Sequence, residues 1–278
     1  MRSASDVAGG VDLPSLEGGT QTVADGLRVR LWPTAGECVI TRNGLPDSRA
    51  STLRRSRLQR FAPTVDPDAN AQRAARRARG RLRRYCKANR LLYLWTNTYA
   101  VEPDSVGDVQ DDWRRFRRRC RRAGVGGPWV RVFERGEGND RLHVHWATDH
   151  RIEHAQVHEL WGAGHVWVNL HRPGSGDSSG RQAAGVARYL SAYLAKEGLG
   201  TRAYDVARGF QPAVVELVGP DLRTCVERVS DEHFAGAAPS YVYRSDHHEG
   251  HQGPPCVFVA WEGVEHAKEG TQDRQVAA

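Results

Sequence analysis

Two histidines one residue apart, His143 and His145, lie in the apolar and β-branched run Leu142–Thr148. In a strand, alternate side chains share a face, so both imidazoles point one way and Val144 the other. Two residues at roughly 3.3 Å rise set the imidazoles about 7 Å apart, close enough to grip one metal ion. A third ligand must come from a neighbouring strand. Glu134 ends the preceding apolar run and is the first choice; Glu137, in the Gly/Asn-rich turn 135–140, is the second. Two histidines and a carboxylate with open positions suit a divalent ion that also binds phosphate, Mg²⁺ or Mn²⁺.

A second group lies on the segment Gln182–Glu197, which reads as a helix stopped by Gly198. At about 100° per residue, Ala183, Val186, Ala187, Leu190 and Leu194 form one apolar stripe. Tyr189, Tyr193 and Lys196 form another, roughly 100° around, so the tyrosines are not needed to complete the core stripe. A phenol with a pKa near 10 is a poor nucleophile at neutral pH, but a nearby ammonium and a metal ion favour the phenolate. Tyrosines flanking a core with their hydroxyls in water would produce the same pattern.

Arginine is concentrated in two helical stretches. Residues 69–89 hold seven arginines, one lysine and no acid, and residues 114–122 hold seven arginines in nine positions. In the second stretch Arg114, Arg115, Arg117, Arg118 and Arg121 are candidates for sequence-independent phosphate contacts. The cluster His247-His248-Glu249-Gly250-His251 offers further metal-type ligands, but in a loop with no partner motif it reads as solvated.

The elements that must position these groups follow from periodicity. Strands are expected at 91–99, 129–134, 142–148 and 165–170, with helices at 105–123 and 152–161. The order β-α-β-β-α-β is that of a ferredoxin-like antiparallel sheet with helices on one face, to which the tyrosine helix is an addition. Upstream, Leu27–Trp32 and Glu37–Thr41 suggest a hairpin after a Gly/Ser/Ala-rich tail. Downstream, 213–218 reads as a strand, 220–230 as a helix, and 240–262 as aromatic and β-branched runs around a polar loop. Three segments are expected: 1–68, flexible tail and small hairpin; 69–200, the domain carrying the histidines and tyrosines; and 201–278, a C-terminal extension.

The chain has 278 residues, a net charge of +7 and a pI near 9.4, which suits a polyanionic partner. Five scattered cysteines without a C-x-x-C pair imply neither a disulfide framework nor a cysteine zinc site, and fit a reducing cytoplasm. No run of 18 apolar residues is present, so no membrane partner is expected.

Taken together and in this order, three motifs over residues 70–215 resemble the HUH endonucleases, in the branch of plasmid and bacteriophage rolling-circle replication initiators. They are the apolar strand Leu91-Leu-Tyr-Leu-Trp-Thr-Asn-Thr-Tyr99, the His-hydrophobe-His pair at 143–145, and Tyr189-x-x-x-Tyr193-x-x-Lys196. Ala192 stands where relatives often repeat a lysine, whereas Tyr193 keeps its Lys196. The resemblance implies an α+β fold, a ferredoxin-like or RRM-like palm with an added tyrosine helix. It also implies a metal site of His143, His145 and Glu134, with Tyr193 attacking a scissile phosphate and Tyr189 or the freed 3′-hydroxyl ending the round. The implied partners are single-stranded origin DNA and a host helicase and polymerase. A different class, a non-catalytic binder of single-stranded nucleic acid on an RRM-like sheet, would use Tyr93 and Trp95 for base stacking. It leaves the aligned histidines, tyrosines and lysine unexplained.

Overall fold

A computed structural model describes residues 26–42, 67–136, 141–170, 179–193, 204–245 and 255–262. The chain divides into two compact units, Phe61–Pro212 and a second made of Met1–Arg60 with Ala213–Ala278. The fold is α+β, with two antiparallel five-stranded sheets and five α-helices among the described residues.

In the unit Phe61–Pro212, helix α1 (Pro67–Ala88) is followed by β3 (Tyr93–Asn97), α2 (Val106–Arg122), β4 (Trp129–Arg135), β5 (Leu142–Thr148), α3 (His154–Trp161), β6 (Val166–Leu170), α4 (Ser179–Tyr193) and β7 (Tyr204–Val206). The sheet order is β6-β3-β5-β4-β7, every pair antiparallel. Without the edge strand β7, this is the ferredoxin-like order expected from the sequence. Strand and helix limits agree with that expectation to within about two residues.

The alternation along the strands divides the sheet into two faces. On one, Trp95, Phe133, Val144 and Trp146 pack under Val109, Trp113, Phe116 and Cys120 of α2 and Val157 and Trp161 of α3. On the other, Leu94, Val130, Val132 and Ala147 meet Leu82, Tyr85 and Cys86 of α1 and Val186, Ala187 and Leu190 of α4. Helices therefore cover both faces, not one as the sequence suggested. The reason lies in the apolar stripes of α1 and α4, which need a sheet to bury against. Helix α2 starts at Ser105, whose hydroxyl accepts from the Asp108 backbone amide (3.2 Å). The turn into β6 runs close against the end of β3: a Cβ on Gly164 would lie 2.4 Å from the Thr98 carbonyl oxygen, so no larger residue fits.

The second unit contains β1 (Leu27–Trp32), β2 (Glu37–Arg42), β8 (Val215–Gly219), α5 (Leu222–His233), β9 (Tyr241–Arg244) and β10 (Cys256–Ala260). The expected hairpin β1–β2 turns through a short 3-10 segment closed by Gly36 at φ 62°. The sequence treats this hairpin and the C-terminal region as separate segments. The structure joins them in one sheet, β8-β1-β2-β10-β9, with Leu27 opposite Gly219. Helix α5, capped by Asp221, lays Leu222, Val226 and Val229 on one face of it, against Val29, Leu31, Ile40, Val257 and Val259. Among the described residues, no helix is long and apolar enough to cross a membrane.

Candidate active site

The register of three adjacent strands assembles the polar cluster. Glu134 on β4 lies directly opposite His143 on β5, and Thr96 on β3 lies opposite His145. All four residues occupy the sheet face covered by α1 and α4. The histidine and carboxylate ligand atoms of Glu134, His143 and His145 lie within 4.8 Å of one another. Glu137, the second choice for a carboxylate, lies outside the described residues.

His145 is 3% exposed and held at both nitrogens. Its Nε2 lies 2.6 Å from Glu134 Oε2, and its Nδ1 lies 2.9 Å from Thr96 Oγ1. With Nε2–H donating to the carboxylate, Nδ1 accepts from the threonine hydroxyl. A hydroxyl also accepts, so the same contact holds the ring with Nδ1–H when Nε2 is deprotonated to bind a cation. The sequence reading missed Thr96; its signal was position, one strand away and on the same face as the histidines.

Helix α4 brings the tyrosines onto this cluster. Ala183, Val186, Ala187 and Leu190 of the expected stripe are buried, and Leu194 lies outside the described residues. The Tyr193 ring stacks on His145, with centroids 4.7 Å apart and planes at 7°. Tyr189 meets His145 edge-on at 5.7 Å and Tyr193 at 5.2 Å, and remains partly exposed. Burial, above all, pushes the Tyr193 phenol far above its ordinary pKa; its hydrogen bond to Tyr189, that group's charge, and the Glu134 carboxylate act in the same direction. These influences hold the proton on the hydroxyl; the metal ion and the Lys196 ammonium that the sequence reading invoked for the phenolate act against them. The donor set, two imidazoles and a carboxylate, fits a divalent cation, whose charge would reverse that balance. Lys196 lies outside the described residues.

The two basic helices lie on opposite sides of the sheet. On α1, Arg76, Arg77, Arg79 and Arg81 are exposed, on the side that carries the tyrosines. On α2, Arg114 and Arg115 pair with Asp111 and Asp112, and Arg117 lies over the Trp129 ring at 5.0 Å. Arg119 donates to the Trp161 carbonyl, while Arg118 and Arg121 point to solvent. The sequence marked α1 as basic but assigned it no role.

Trp95, offered as a base-stacking residue, is fully buried and stacked on Trp146 at 5.6 Å beneath α2 and α3. That removes it from any surface role. The cluster His247–His251 lies outside the described residues.

Residues 92–198, from the start of β3 to just beyond α4, match the family model for the replication-associated proteins of the ORF2 and gene-2-protein type. The match spans the whole histidine and tyrosine cluster and supports a replication-associated role. No curated protein and no solved structure matches the chain.

Proposed function

We propose that Phe61–Pro212 is a metal-dependent DNA-nicking and strand-transfer unit of HUH type, acting as a rolling-circle replication initiator. The observation that carries this reading is the stacking of Tyr193 on His145 beside Glu134 and His143. It puts a nucleophile and a metal donor set in one place. A binding platform needs no such convergence.

In this reading single-stranded origin DNA lies over α4, its phosphates met by the exposed arginines of α1. A divalent ion, Mg²⁺ or Mn²⁺, held by Glu134, His143 and His145 would supply a Lewis acid for a phosphate oxygen and positive charge beside the phenol. Thr96 fixes the His145 ring. The Tyr193 oxygen loses its proton and attacks phosphorus in line. The bond from phosphorus to the 3′-oxygen breaks, and that oxygen leaves as a 3′-hydroxyl after taking up a proton. The strand remains attached as a 5′-phosphotyrosine, so the bond energy is kept for rejoining. Tyr189, within ring contact of Tyr193, would take the second transfer, and Lys196 would offset charge on phenolate or phosphate. A host helicase would separate the strands and a host polymerase extend the free 3′ end in the cytoplasm. The α2 residues Arg114, Arg115, Arg117, Arg118 and Arg121 are assigned to DNA flanking the nick, with Arg118 and Arg121 contributing most.

The test is a denaturing gel of labelled single-stranded origin DNA incubated with the protein, with and without Mn²⁺. A covalent adduct that needs the ion and falls by roughly 10³-fold or more in Tyr193→Phe is expected, since phenylalanine keeps the stacking and removes the nucleophile. Tight binding with no adduct, with or without the ion, would overturn the proposal in favour of a binding module.

A further inference from the structure

Among the described residues, strand β6 forms one edge of the Phe61–Pro212 sheet and pairs with β3. Val166 and Val168 pack into the tryptophan core beneath α2 and α3. Alternation therefore turns His165, Trp167 and Asn169 towards the other face, the one that carries the histidine cluster. All three are exposed, and Trp167, at 52%, presents a large flat ring to solvent. His165 lies against that ring, with centroids 5.9 Å apart and planes at 45°. A single exposed ring is ordinary; the register is what gives this one a role. Trp167 lies directly opposite Thr96, and Thr96 directly opposite His145. The three form one cross-strand row, with two strand spacings, roughly 10 Å, between its ends.

We propose that Trp167 stacks on a base beside the scissile phosphate and so sets the register of the DNA strand on the metal donor set. This rests on the reading that Glu134, His143, His145 and Tyr193 nick single-stranded DNA. A phosphate held at the His145 end of the row leaves its flanking bases unpaired and free to turn onto the sheet. The indole at the other end, roughly 10 Å away, is within reach of one of them. Its half-exposed ring gives that base an apolar surface without first displacing a packed neighbour. Stacking on an aromatic ring strengthens binding by about ten-fold for each base and tolerates any base, so the contact fixes position along the strand and does not read sequence. A duplex offers no such base, because its bases are already stacked on one another.

The test is a scan of abasic sites with the full-length protein. A labelled single-stranded origin oligonucleotide spanning the nick is prepared intact and with each base near the nick removed in turn. Adduct formation with Mn²⁺ is measured first. Binding is then followed by anisotropy, with Mn²⁺ present and Tyr193→Phe in every protein, so that no cleavage competes. Trp167→Ala should bind the intact strand about ten-fold more weakly. One abasic position should weaken binding by a similar factor when Trp167 is present and hardly at all in Trp167→Ala, because the two changes remove the same contact. A merely structural loss would weaken every oligonucleotide alike. Trp167→Phe, which keeps a flat ring, should bind within about three-fold of the parent and keep its dependence on that base. With Tyr193 intact, Trp167→Ala should spread the nick over neighbouring phosphates. Equal affinity of Trp167→Ala and the parent, or losses that simply add at every abasic position, would overturn the stacking role and leave nicking in place. A parent protein that forms no adduct would overturn the nicking reading, and this inference with it.

Discussion

The two faces of the Phe61–Pro212 sheet are built from the same strands and do opposite work. Along β5, Leu142, Val144 and Trp146 face α2 and α3, while His143, His145 and Ala147 face α1 and α4. On the first face large rings fill the space: Trp146 stacks on Trp95 and meets Trp113 and Phe116 edge-on. The Trp146 indole N–H donates to Asn97 Oδ1 (2.9 Å), and the Trp95 indole N–H to Thr148 Oγ1 (3.2 Å). On the second face apolar packing ends at Val132 and Ala147, and the polar cluster begins at His145 and Glu134. The first face is filled chiefly by rings that hold the fold, and the second gathers the histidines, the carboxylate and the tyrosines.

That division predicts a large asymmetry between adjacent positions. Trp146→Ala removes a fully buried ring and should cost about 3–5 kcal/mol in urea unfolding. His143→Ala, at a half-buried position on the other face, should cost no more than about 1 kcal/mol without added metal. Mn²⁺ should raise the melting temperature of the parent and not that of His143→Ala, because an ion that binds only the folded chain stabilises it by mass action. Equal destabilisation by the two substitutions, with no effect of Mn²⁺ on the parent, would erase the distinction.

Much of this was legible in the sequence because it depends on local periodicity. A period of two places His143 and His145 together, and a period of 3.6 separates the tyrosines from the Ala183–Leu190 stripe. The strand order follows from element order. What escaped depends on non-local pairing. Thr96 joins the cluster only through the β3–β5 register, and Trp95 is hidden by helices whose docking face the strand pattern does not state. The β1–β8 pairing joins residues about two thirds of the chain apart, and no local signal marks it. The burial of Tyr193 and its closeness to the Glu134 carboxylate escaped for a similar reason: a helical wheel shows neighbours along the helix, not those across the interface.

The arginine helices extend the comparison, since α1 lies on the polar face and α2 on the apolar one. Three α1 substitutions, Arg76→Gln, Arg77→Gln and Arg79→Gln, remove three charges; so do Arg118→Gln, Arg121→Gln and Arg122→Gln on α2. On a short single-stranded origin oligonucleotide, the α1 variant should lose about 2 from the slope of log K against log salt, at roughly 0.7 per contact, and ten-fold or more in adduct yield at moderate salt. The α2 variant should fall behind only on substrates with flanking DNA. Equal losses on the short oligonucleotide would mean that total charge matters and the face does not.

The smallest expected difference is also the most specific to the two faces. Tyr85, on α1, donates its hydroxyl to the Ala207 carbonyl (3.2 Å). Tyr99, in the tryptophan core, is buried with no hydrogen-bond partner for its hydroxyl among the described residues. Burial raises both phenols well above their ordinary pKa. A phenol raised on folding contributes stability that is complete below the unfolded pKa near 10. It is lost as pH climbs beyond that value, because the unfolded chain then ionises where the folded chain does not. Urea midpoints should therefore drop between pH 8 and pH values above about 10, and each Tyr→Phe change should reduce that drop. At pH 8 the two diverge. Tyr85→Phe gives up a satisfied bond and should cost about 1 kcal/mol, while Tyr99→Phe removes a hydroxyl with nothing to bond and should be neutral or stabilising. A cost at Tyr99 matching that at Tyr85 would show that a bound water satisfies the tryptophan core's phenol, and would make that face wetter than its packing implies.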